Sequence, residues 1–149
     1  MRYLILLLGD PGNPEDRREL PEGATEAMVG AMIDFQQEMV DAGVLVSAEG
    51  LLPSSEGVRV VHKRMGRTVV DGPFTEAKEL VAGYFVIDVD SPEEAVEWAS
   101  KVPVEHALTS DDDEAVVEVR RIATLDEVDG VTEEHRRADR ELREKLVGS

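Results

Sequence analysis

Thr68-Val69-Val70-Asp71-Gly72-Pro73-Phe74-Thr75-Glu76-Ala77-Lys78-Glu79 leads through Leu80 into Val81-Ala82-Gly83-Tyr84-Phe85-Val86-Ile87-Asp88. A β-branched run stops at Asp71-Gly72-Pro73, a short polar segment follows, and a second apolar run begins. Gly72 supplies backbone freedom, while Pro73 removes a donor and drives its predecessor out of the α region. The chain is expected to leave one strand here, turn a rigid corner and enter another.

Before the corner, residues 58–62 and 67–70 flank Lys63-Arg64-Met65-Gly66, a pattern that predicts a β-hairpin. Residues 44–49 read as a strand, and 50–57 as the connection that follows it. Over 24–42 the period is helical: Ala27 or Met28, Ala31 or Met32, Phe35 and Met39 recur on one side, and Gly43 closes the helix. The Met content is read as core filling rather than as a ligand surface. Residues 2–8 are apolar on both alternations, as in a strand covered on both faces. The Pro- and Gly-rich stretch 10–23 is predicted to be a long loop, the kind that often acts as a lid or binding loop.

After the corner, residues 82–89 are again apolar on both faces. Ser91-Pro92-Glu93-Glu94 predicts a helix start, with Ser91 as cap, Pro92 in the first turn and Glu94 completing a capping box. Ala95, Val96, Trp98, Ala99 and Val102 form its expected buried stripe, and Pro103 ends it. Asp111-Asp112-Asp113-Glu114 reads as a solvated loop, and 115–122 as a last strand with Glu118 and Arg120 facing outward. Residues 132–147 predict a polar helix whose apolar stripe, Ala138, Leu142 and Leu146, is too narrow for a core.

With the hairpin set aside, the order is β-α-β-β-α-β, an α+β ferredoxin-like sandwich. The two strands that read as apolar on both faces are the first and third of the four, the central pair in that topology. Two helices cover only one face of such a sheet. The other face needs a second cover, which predicts a homodimer.

The 149 residues fit one domain, with residues 123–149 read as a C-terminal helical extension to a domain at 1–122. There is no Cys, which excludes disulfides, thiolate chemistry and Cys-ligated metal. The 33 acidic residues outweigh 16 basic ones, a net charge of −17, so nucleic acid and anionic membrane are poor partners. Only Lys63, Lys78, Lys101 and Lys145 are lysines. That balance suits a saline cytoplasm or, equally, a GC-rich genome that favours Arg. The opening apolar run is too brief for a signal peptide and no stretch is long enough to span a bilayer, so a cytoplasmic location is expected.

The Gly9-Asp10 that ends the first strand, Glu49-Gly50-Leu51, the corner with Glu76, Lys78 and Glu79, Gly83-Tyr84 and Glu97-Trp98 together make the chain resemble the YCII-related domain family, in particular its DGPF subgroup. The resemblance runs over residues 1–122. It implies a dimeric α+β barrel, in which two ferredoxin-like sheets face each other. Some relatives of this kind use a His–Asp pair for proton transfer, as in a dehydrochlorinase acting on a chlorinated muconate. By that likeness Asp71 is the recurrent acid, but the first helix here contains no His to match the partner. The resemblance also implies a regulatory setting beside extracytoplasmic-function sigma factors.

Asp71 is therefore the leading catalytic candidate and His62, on the hairpin, the second, since a His–carboxylate pair moves protons. Glu49, Phe74, Glu76, Lys78 and Tyr84 are the candidate ligand-binding groups: carboxylates that couple electrostatically, an apolar wall, a cation for an anionic substrate and a hydroxyl donor. Against the catalytic reading, a turn-capping role alone accounts for an Asp at position 71. His106 and His135 lack metal-ligand spacing, and no phosphate loop, nucleophile elbow or HExxH appears, so no metal or cofactor is expected. Two functions fit. One is an acid–base lyase or isomerase acting on a small polar or anionic molecule. The other is a non-catalytic dimeric ligand-binding or regulatory module.

Overall fold

The computed structural model describes residues 1–10, 22–76, 79–108 and 110–147. In chain order the elements are β1 (Arg2–Leu8), α1 (Ala24–Asp41), β2 (Leu45–Gly50), β3 (Val58–Lys63), β4 (Gly66–Asp71), β5 (Val81–Asp88), α2 (Pro92–Ser100), β6 (Val117–Arg121) and α3 (Glu133–Val147). Four strands form an antiparallel sheet in the order β2-β5-β1-β6, and β3 and β4 form a separate two-stranded ribbon. This is the α+β ferredoxin-like fold with an added hairpin and a C-terminal helix.

β1 and β5 hold the centre, as their two-sided apolarity predicts, with Ile5 opposite Phe85 and Leu6 opposite Tyr84. Alternation along the strands separates two faces. Tyr3, Ile5, Phe85 and Ile87 point into the core with Phe35 and Met39 of α1 and Ala95 and Trp98 of α2. Phe35 meets Phe85 edge-on at 5.5 Å and lies 6.2 Å from Trp98, so one ring joins both helices to the sheet. Lys101 reinforces that junction, its ammonium 4.7 Å over Trp98 and 3.2 Å from Glu38.

The opposite face carries Leu4, Leu6, Tyr84 and Val86, with Glu118 and Arg120 opposite Leu6 and Leu4 on β6. Both core helices lie on the other side, so among the described residues this face is free of them, with Leu4, Leu6, Tyr84 and Val86 half-buried. α3 and the 3₁₀ turn at Leu125–Glu127 border its Arg2 end.

Some local expectations shift. Val96 is 55% exposed, so the buried stripe of α2 is narrower than predicted. Ser91 does cap α2, accepting from the Glu94 N–H, but Glu94 reaches back to the N–H of Asp90 rather than closing the box on Ser91. Leu142 and Leu146 of α3 are exposed at 61% and 70%, in keeping with a stripe too narrow to be core.

Candidate functional site

The corner at Gly72–Phe74 is assembled from three distant parts of the chain. β1 ends at Gly9, where positive φ releases the backbone from the sheet and turns Asp10 inward. Asp10 is 6% exposed. Its carboxylate accepts the Ser54 backbone N–H at 2.7 Å and the Ser54 hydroxyl at 2.5 Å. The Ser54 Oγ in turn accepts the Phe74 N–H at 3.0 Å. A single hydroxyl thus ties the end of β1, the turn after β2 and the corner together. It is engaged on both sides, which makes it a brace rather than a nucleophile.

Gly72 is required by this closeness. A Cβ there would lie 1.8 Å from the Ser54 carbonyl oxygen. Its N–H donates to the Gly57 carbonyl at 2.9 Å, and the peptide to Pro73 is cis. Phe74 is half-buried, and the Arg59 guanidinium stacks 3.8 Å from its ring centroid.

The sequence-predicted residues divide among separate places. Asp71 ends β4 opposite Val58, is exposed, and forms no side-chain hydrogen bond or ion pair among the described residues. It does not cap the turn; Ser54 and Asp10 hold the corner instead. His62 faces Arg67, four residues along β3 from Asp71's partner, or about 13 Å at strand spacing. The His62–Asp71 pair is therefore not formed. Glu76 is exposed, and its carbonyl accepts the Glu79 N–H. Lys78 lies outside the described residues. Glu49 and Tyr84 do come together, directly opposite one another on β2 and β5, on the free face beside Leu6.

Ser54 and Arg59 escaped the sequence reading, and Asp10 entered it only as part of the resemblance, not as a site residue. Their only local signals are an Asp just after a strand-ending Gly and a Ser just after a Pro. A cleft of about 310 Å³ lies at the Arg2 end of the free face, lined by Arg2, Arg136, Arg140 and Arg143 with Asp126 and Asp139. Its α3 arginines are already compensated: Arg136 by Asp126, Arg140 by Glu133 and Arg143 by Asp139. Among the described residues no three His, Asp or Glu side chains gather as a metal site. No helix among them is long and apolar enough to cross a membrane.

An uncharacterized protein of Rhizobium meliloti (strain 1021) is 36% identical to this chain over 64 residues, covering 43% of the chain and 52% of the relative. The match thus spans about half of that relative's length. The model of the YCII-related domain matches residues 1–123, from the first strand through the whole four-stranded sheet. The chain belongs to the YCII-related domain family.

Proposed function

We propose that this protein is a homodimeric small-molecule-binding module of the cytoplasm, with its ligand held between the free sheet faces and with Asp71 outside any proton-transfer step. The carrying observation is the free face. Leu4, Leu6 and Val86 supply apolar walls, and the Glu49–Tyr84 pair supplies one acceptor-rich group and one hydroxyl among them. Binding compartments have this make-up, mostly apolar with a few placed polar groups. A small polar molecule offering N–H or O–H groups to Glu49 and an acceptor to Tyr84 fits best. An exposed Asp71 with no side-chain partner among the described residues lacks the burial that a catalytic acid needs, which favours binding over lyase or isomerase chemistry. The same module suits the regulatory setting that the resemblance implies.

Light scattering at micromolar concentration should give a dimer burying at least ~1,000 Å², and Leu6→Glu should make it monomeric. In a thermal-shift panel of small carboxylates, amines and polyols, ligand stabilisation should fall in Glu49→Gln and Tyr84→Phe and persist in Asp71→Asn. A monomeric wild type overturns the proposal. So does a ligand response lost in Asp71→Asn but kept in Glu49→Gln, which would restore the acid–base reading.

A further inference from the structure

Among the described residues the ribbon β3–β4 is anchored at its base, through Gly57, Gly72 and the Arg59–Phe74 contact. All twelve of its strand residues are exposed. One of its faces carries Val58, Val60 and Val69, the other Val61 and Val70. Two strands with both faces in water are marginal on their own, and valines on both faces make poor solvent-facing positions. The ribbon also departs from the charge of the molecule. Residues 58–71 hold Arg59, Lys63, Arg64 and Arg67 against the single acid Asp71, in a chain whose net charge is −17. Arg59 is stacked on Phe74 at the base. Lys63, Arg64 and Arg67, at the tip, form no ion pair among the described residues.

We infer that the β3–β4 ribbon is a clasping arm that lies on the acidic surface of a second copy of this chain. Charge selects the occupant. A basic tip is attracted to a body that is strongly negative, and in the homodimer every copy presents both. The exposed valines gain cover on docking, and the tip cations gain carboxylate partners. The arm rests on the homodimer proposed above and adds to it a second, electrostatic contact surface distinct from the sheet face.

The test uses the full chain. Lys63→Glu/Arg67→Glu should raise the dimer dissociation constant about tenfold in low salt, with the two proteins converging in molar potassium chloride. Its circular dichroism should be unchanged, because the tip residues are exposed and form no ion pair among the described residues. Met65, 97% exposed at the turn, allows a second readout. Met65→Cys in this cysteine-free chain, labelled with a photo-crosslinker, should give intermolecular adducts at acid-rich segments of the partner copy. Equal dissociation constants and salt slopes, or adducts confined to the same chain, overturn the arm while leaving the sheet dimer intact. Binding of a DNA duplex by wild type but not by the double variant, with dimerisation unaltered, reassigns the arm and also overturns it. A monomeric wild type removes both proposals.

Discussion

Asp10 receives two donors from one residue, and this makes its chemistry testable by a minimal change. In Asp10→Asn the amide oxygen keeps one Ser54 donor, while the new NH₂ confronts the other. The Ser54 hydroxyl proton then has no acceptor in a buried site, at a cost of about 1–3 kcal/mol. Gly72→Ala should be at least as damaging, because its Cβ meets backbone rather than a movable side chain. Asp71→Asn, by contrast, should stay within ~0.5 kcal/mol of wild type, as expected for an exposed residue with no side-chain partner among the described residues. Urea unfolding of the three variants checks this ranking. If Asp71→Asn proves the most destabilised, the bracing role assigned to Asp10 and Ser54 is wrong.

Among the elements, α2 offers the clearest single contribution. Ser91 accepts the Glu94 N–H at 3.2 Å, and Ser91→Ala should lose about 1 kcal/mol of stability. A midpoint shift in urea with unchanged slope is the expected signature; no shift would mean the cap is redundant. Helices and central strands were legible because their apolar periods run over many residues. Phe35 and Met39 fall in the core, and β1 and β5 in the middle of the sheet, where periodicity puts them. The hairpin was legible too, but the reading that paired His62 with Asp71 was not borne out, because the register sets His62 against Arg67 and Asp71 against Val58. The brace was not legible. Asp10 and Ser54 are separated by 44 positions and Ser54 and Phe74 by 20, and no local pattern announces a contact of that range.

At the scale of the whole molecule, charge dominates. Excess negative charge destabilises a compact state by self-repulsion, and salt screens it. Molar potassium chloride near neutral pH should therefore raise the melting temperature. The measurement belongs at protein concentrations well above the dissociation constant of the proposed dimer, so that weaker docking of the proposed arm does not mask the gain. The ion pairs among the described residues are exposed or half-exposed and contribute little, so their screening does not offset the effect. An unchanged or lower melting temperature in salt would trace the acidity to genomic composition rather than to a saline cytoplasm.

The neck of the ribbon has one more consequence. The chain leaves the domain at Gly57 and returns at Gly72, and a 2.9 Å hydrogen bond joins the two. Everything between them is an excursion that begins and ends at the same point, so, apart from the contact of Arg59 with Phe74, its length and composition place little demand on the rest of the path. Such a segment is a cassette. Joining Gly57 to Gly72 through a short turn should excise it with the four-stranded sheet in register, and another ribbon grafted onto the same neck should keep the fold while changing the company the protein keeps.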